Sequence, residues 1–179
     1  IMGLIKITGG GVIEKVGGLL NGQTIKTANG DITLSNVSAQ NNIGTSYEDP
    51  GGGSITYTAP TGTKQVLVEY LFHSGPQDGS DTISHWKMDI DGTEITDARA
   101  SFGTYRDTYS RYAFTIQCNA AADSIANGQL AGWTTAKTIN ITARSYSSSY
   151  DQDVHGTHYW DGTTGAHFHR PSLYLTALS

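Results

Sequence analysis

Five segments of this chain alternate between apolar and polar residues, and that period of two constrains the fold more than any other feature. Over residues 64–72 the apolar set is Val66, Val68, Tyr70 and Phe72; over 84–90 it is Trp86, Met88 and Ile90, with His85, Lys87 and Asp89 between them. Over 111–118 it is Tyr112, Phe114, Ile116 and Cys118, over 138–144 Ile139, Ile141 and Ala143, and over 172–178 Leu173, Leu175 and Ala177. Successive side chains of a strand point to opposite faces, so each segment reads as a strand with one buried face. Helical pattern is confined to residues 120–126, one or two turns ended by Asn127-Gly128. The expectation is an all-β chain, a jelly-roll-like β-sandwich.

Asp91-Gly92 is the sharpest local signal. A two-residue type I′ turn needs positive φ at both positions, which Asp and Gly tolerate. Counting outward pairs Ile90 with Thr93, Asp89 with Glu94 and Met88 with Ile95. The last pair puts two apolar side chains on one face, while Asp89 opposite Glu94 is a like-charge pair that needs a cation such as Lys87 nearby.

The first fifty residues differ. Short strand candidates at 3–8, 24–27 and 31–35 are separated by Gly9-Gly10-Gly11, Gly17-Gly18 and Asn29-Gly30, with apolar residues too scattered for a core of their own. A glycine-rich break, Asp49-Pro50-Gly51-Gly52-Gly53, follows. The expected division is therefore an extended N-terminal arm and linker over 1–53 and a sandwich domain over 54–179. The arm is expected to pair with another chain; the alternative is that it adds edge strands to its own domain.

Composition narrows the function classes. The chain has 179 residues, charged residues make up 15% and the net charge is −5. An acidic balance argues against a surface built for nucleic-acid phosphates. No apolar run approaches the ~18 residues of a membrane-spanning helix, and the single cysteine excludes an internal disulfide framework. Cys118 falls on the apolar side of its strand and reads as an inert buried thiol. There is no Gly-x-Ser-x-Gly elbow, phosphate-binding loop or His-Glu-x-x-His. Paired carboxylates hydrolyse glycosides when they line one cleft, but Asp78, Asp81, Asp89, Asp91, Glu94 and Asp97 read as a wet strand face with Asp91 consumed by the turn. The chain is expected not to be an enzyme.

Two groups of residues are candidate sites. In His167-Phe168-His169 the two imidazoles are two positions apart and share a face if the segment is a strand. Two nitrogens per chain are too few for a metal, but three chains around a three-fold axis would supply six, suiting octahedral iron(II) or another divalent ion. The competing reading is a pair of surface histidines beside Arg170, with no cofactor at all. His155 and His158 lack a third ligand at a diagnostic spacing. The second group lies in the polar, aromatic stretch 146–160. There Tyr150, Asp151, Asp153 and Trp160 have the chemistry of a sugar patch: rings for the apolar sugar face, carboxylates for its hydroxyls. The competing reading is a solvated tip loop.

The run Ile83-Ser84-His85-Trp86-Lys87-Met88-Asp89-Ile90-Asp91-Gly92-Thr93-Glu94-Ile95-Thr96-Asp97-Ala98-Arg99 resembles a segment of virion structural and tail-fibre-like proteins of marine phages, those of cyanobacteria and related ocean bacteria. The preceding Tyr57-Thr58-Ala59-Pro60-Thr61-Gly62-Thr63-Lys64 and the closing Arg170-Pro171-Ser172-Leu173-Tyr174-Leu175-Thr176 fit as well, so the resemblance spans about residues 54–179. It implies a location in the virion, other virion proteins as partners and a homotrimer as the assembled state. The role it implies is a tail fibre, spike or capsid decoration subunit, or alternatively a receptor-binding module recognising host-surface glycan.

Overall fold

A computed structural model describes residues 11–76, 81–157 and 167–179. Its early strands are β1 (Val12–Leu19), β2 (Thr24–Thr27), β3 (Gly30–Thr33), β4 (Asn41–Ile43) and β5 (Ser54–Tyr57). The long strands are β6 (Gln65–Pro76), β7 (Thr82–Ile90), β8 (Thr93–Thr104), β9 (Thr108–Gln117) and β10 (Lys137–Ser145). Three short ones, β11 (Gln152–Val154), β12 (Gly156–Thr157) and β13 (His167–Phe168), precede the closing β14 (Ser172–Leu178). No helix among the described residues is long and apolar enough to cross a membrane.

Eight strands make two antiparallel sheets. In one, β1 pairs with β14, β14 with β6, and β6 with β9; in the other, β5 pairs with β10, β10 with β7, and β7 with β8. In chain order these eight run first, eighth, third, sixth across one sheet and second, seventh, fourth, fifth across the other. That wiring is two interleaved Greek keys, a jelly roll. β11 continues along β6 past the end of β14, and β4 pairs with β11. The fold is thus the all-β, jelly-roll-like sandwich the alternation predicts.

The alternating residues meet in the middle. Val66, Val68, Tyr70, Phe72, Trp86, Met88, Ile90, Tyr112, Ile116, Cys118, Ile139, Ile141, Ala143, Leu173, Leu175 and Ala177 are all buried. Phe72 stacks on Trp86 with ring centroids 4.3 Å apart, and Phe102 meets both edge-on. The Trp86 indole donates to the Ser84 hydroxyl at 2.8 Å, so the largest buried ring carries no orphan donor. Cys118 is buried, and burial pushes its thiol up to about 12.

The Asp91-Gly92 hairpin forms in the expected register, with φ of 50° and 81° at the two turn residues. The like-charge pair is relieved from both sides. Glu94 pairs with Arg99 and with Lys87 at 3.7 Å, and Asp89 accepts from the Asn140 amide and the Gly92 backbone N–H. Asp91 accepts from the Thr138 backbone N–H at 2.8 Å, fastening the turn to β10. The expected helix at 120–126 is reduced to one 3-10 turn, Ile125–Asn127, which Gly128 ends at φ 66°.

The division at residue 53 is corrected for the described part of the leader. The segment is extended and has no core of its own, but the surface it finds is its own domain. β1 is the first strand of the jelly roll, and Val16, Leu20, Leu34, Val37 and Ile43 are buried in the common core. The candidate strands at 24–27 and 31–35 form a β2–β3 hairpin; the candidate at 3–8 lies outside the described residues. Gly17-Gly18 lies inside β1: Gly17 has φ 120°, and a Cβ there would overlap the Leu173 carbonyl oxygen of β14.

Gly51-Gly52-Gly53 is likewise a close-packed loop. The Asp49 carboxylate accepts from the Gly51 and Gly53 backbone N–H groups, and a Cβ on Gly52 (φ 73°) would lie 2.7 Å from Leu20 Cδ1 and 2.9 Å from Ser35 Cβ. Strain and overpacking act together there, so Gly52→Ala is expected to destabilise the fold by about 2–4 kcal/mol. Urea denaturation measures it; an unchanged midpoint would mean the loop is loose.

Candidate functional site

Antiparallel wiring brings the β1–β5, β6–β7, β8–β9 and β10–β14 connections to one end of the sandwich. β6 presents Phe72 inward and its neighbour His73 outward, so the imidazole emerges on the outer face of the sheet at that end. Its cross-strand partner on β9 is Tyr109, whose ring packs edge-on against it with centroids 5.1 Å apart. The β12–β13 ladder docks beside this pair through the His155 N–H, which donates to the His73 carbonyl, and the His169 N–H extends the ladder by donating to the His155 carbonyl, both at 2.8 Å. His169 is thereby laid on His73, ring parallel to ring, with centroids 4.0 Å apart and planes 12° apart.

These residues wall a cleft of about 530 Å³ lined by His73, Asp107, Thr108, Tyr109, Thr157, His167 and His169. Burial holds the His73 imidazole below its ordinary pKa; the neighbouring His169 lowers it further, while Asp107 opposes the shift. Thr157 pairs across the ladder with His167, and its hydroxyl oxygen is buried without a hydrogen-bond partner.

Behind the cleft, His155 is fully buried at φ 67°. Its Nε2 lies 2.7 Å from the Pro50 carbonyl, a contact that requires the proton on Nε2, and 3.2 Å from the Tyr70 hydroxyl. Tyr70 in turn donates to the Gly51 carbonyl at 2.6 Å. Nδ1 is left as a bare buried acceptor without a partner. Protonating it would bury an uncompensated charge, and desolvation pushes His155 down to about 4, against the opposing pull of the Pro50 carbonyl and Asp49.

His167 and His169 both line this cleft, and only His167 lies on β13; His169 follows it. The third imidazole beside them comes from β6, 94 positions before His167. Among the described residues, no group of three or more His, Cys, Asp or Glu side chains is placed to hold a metal ion within one chain. Of the four residues of the predicted sugar patch, Tyr150, Asp151 and Asp153 are described. Asp153 is 2% exposed on β11 and accepts from the Asn42 amide at 3.0 Å, so it is a structural carboxylate and is corrected out of the patch. Asp151 is half-buried just before β11. Tyr150 packs edge-on against Tyr146, centroids 5.8 Å apart, and lines a separate recess of about 390 Å³ with Asp81 and Tyr105. Trp160 lies outside the described residues, as does His158.

Sequence reading missed His73, Asp107 and Tyr109. His73 continues the alternation of 64–72 on its polar side, so a chemistry-bearing residue at the strand's end was visible, but nothing in the sequence links it to His169.

No family model matches the chain, and no curated protein matches it. Solved structures similar to it include the T13 viral particle of infectious bursal disease virus, at 10% identity and a TM-score of 0.33, covering 87% of this chain and 36% of that one. Another is infectious bursal disease virus, Gt strain, at 10% identity and a TM-score of 0.28, covering 87% and 43%. The chain spans less than half the length of either.

Proposed function

We propose that this chain is a structural subunit of a phage virion, a tail-fibre, spike or capsid-decoration protein that assembles as a homotrimer with other virion proteins around it. The observation that carries the reading is the eight-stranded jelly-roll wiring, a fold used by virus coats and lectins. Because one fold hosts many functions, the resemblance of residues 54–179 to marine-phage virion proteins supplies the choice between them. The edge of β1 adds a surface for assembly: among the described residues it pairs with β14 alone, and Val12, Ile13 and Leu19 along it are 64%, 39% and 51% exposed. An open strand edge with apolar side chains is a surface for pairing with another chain. Light scattering on the purified full chain tests this directly. A mass three times that of one chain is expected, and a stable monomer at micromolar concentration overturns it.

A second reading is glycan recognition at the loop end, which one observation favours: Tyr105, Tyr109, Tyr146 and Phe168 are 56%, 59%, 54% and 37% exposed there. Exposed aromatics on loops held by a rigid sandwich suit the apolar faces of sugars. A glycan array probed with the native oligomer should show saturable binding; a silent array removes this reading and leaves the structural one standing.

A further inference from the structure

We propose that the recess between Tyr47 and Arg99, on the outer face of the β5–β10–β7–β8 sheet, binds the acidic group of a saccharide, a uronate carboxylate or a sulfate ester. The proposal rests on the glycan-recognition reading and names its ligand class. The recess has a volume of about 240 Å³, with Tyr47, His85, Arg99 and Ser101 in its lining. Two backbone features build it. Beyond the end of β5, Glu48 exchanges backbone hydrogen bonds of 3.0 and 2.9 Å with Ala143 of β10, which lays the preceding Tyr47 over the sheet. On the far side, the β7–β8 ladder pairs Met88 with Ile95 and Trp86 with Ala100, so residues 96–99 together stand opposite Lys87. Within this bulge Ala98 turns into the core, where its carbonyl accepts from the Tyr112 hydroxyl at 2.6 Å, and Arg99 is turned outward onto the recess. Bulges re-aim side chains in this way beside binding sites.

Charge selects the ligand. The chain has a net charge of −5, yet three of its eleven Lys and Arg side chains gather here. The Lys87 ammonium lies 4.4 Å and the Arg144 guanidinium 5.5 Å from the centroid of the Tyr47 ring, and Arg99 stands opposite. Glu94 is the carboxylate in contact with them, paired to Arg99 and, at 3.7 Å, to Lys87. Glu48 is taken up by the Gly44 backbone N–H, and neither it nor Asp97 lines the recess. Donors are left over. Arg99 spends its Nε on Glu94, and its two terminal nitrogens have no partner among the described residues. His85 Nδ1 lies 2.8 Å from the Ser101 hydroxyl; when that hydroxyl donates, the proton sits on Nε2 and faces no acceptor among the described residues. A guanidinium fork and a ring N–H in one recess suit the oxygens of a carboxylate or a sulfate. The volume is below that of a typical small-molecule cleft, so the charged group enters and the rest of the sugar stays outside. There Tyr146 is exposed, its ring edge-on against His85 with centroids 5.8 Å apart.

The test is a titration of the full chain at low salt with glucuronic acid, glucose 6-sulfate, glucose and inorganic sulfate, each to about 10 mM, roughly tenfold above a millimolar Kd. NMR signals of the Tyr47 and His85 rings and of the Arg99 Nε report on the recess. Glucuronic acid or glucose 6-sulfate is expected to shift them saturably, the responding sugar telling carboxylate from sulfate, and glucose is expected to leave them in place. Arg99→Gln is expected to weaken that binding about tenfold. Lys26→Gln, which removes the same charge from the exposed β2–β3 hairpin, is expected to leave it unchanged. Binding that survives Arg99→Gln, or that Lys26→Gln weakens equally, overturns the site. Equal shifts with glucose overturn the choice of an acidic ligand, and inorganic sulfate held as tightly as the sulfated sugar means an adventitious ion only, which overturns the proposal as well. Unmoved signals beside an array that binds glycans overturn this site and leave glycan recognition standing; unmoved signals and a silent array overturn both.

Discussion

Deletion of residues 1–20 is expected to leave a chain that no longer folds. The deletion removes β1 and with it Val16 and Leu20, which are 3% and 0% exposed; burial of two such side chains stabilises a fold by about 3–6 kcal/mol. It also strips β14 of a neighbour along seven registered residue pairs, and it deprives the Tyr57 hydroxyl of the Glu14 carboxylate to which it donates at 2.7 Å. Against a typical total stability of about 5–15 kcal/mol, these losses are large enough to unfold the domain. Far-UV and near-UV circular dichroism on the truncated chain measures the outcome. A native near-UV spectrum with an unchanged denaturation midpoint would show that the leader is a detachable arm after all.

Acid is the second large lever, acting through His155. In the unfolded chain this imidazole takes up its proton near 6.5, but in the folded chain only near 4. Below 6.5 the unfolded state binds the proton that the folded state refuses, so stability is full above about pH 6.5. It declines as the pH falls and is lost as the folded value near 4 is approached. At 1.36 kcal/mol per pKa unit, the window is worth about 3 kcal/mol. His155→Asn supplies a side chain that does not titrate and tolerates the left-handed backbone. Urea midpoints measured from pH 7 to pH 4 should fall steeply in the native protein and much less in the variant, whose stability is lower throughout because the ring's packing is gone. Parallel slopes would assign the acid sensitivity to other groups.

The same residue explains how the loop end is built. His155 joins three parts of the chain distant in sequence: the glycine loop through Pro50, the core through Tyr70, and the cleft through its backbone bonds to His73 and His169. Loss of that joint is therefore expected to reach the cleft, which contains no atom of His155 among its lining residues.

Local chemistry alone was enough to specify the strands with strict alternation and the Asp91-Gly92 hairpin, because side-chain direction in a strand and the φ of a two-residue turn are set by immediate neighbours. The all-β class followed from them. The role of the first fifty residues was decided only in three dimensions. Gly17, Gly52 and Gly53 look like breaks in a one-dimensional reading, yet they are the places where another segment comes too close for a side chain, and that segment is far away in sequence: Leu173 for Gly17, Leu20 for Gly52, Ile141 for Gly53. Asp153 has the residue type of a sugar contact and was closed off by β4 laying Asn42 against it. His73 and His169 are 96 positions apart, and only the docking of the β12–β13 ladder on β6 stacks their rings. Periodicity carries the direction of each side chain; which distant surface it meets depends on how the strands are wired, and that is a property of the assembled sheets.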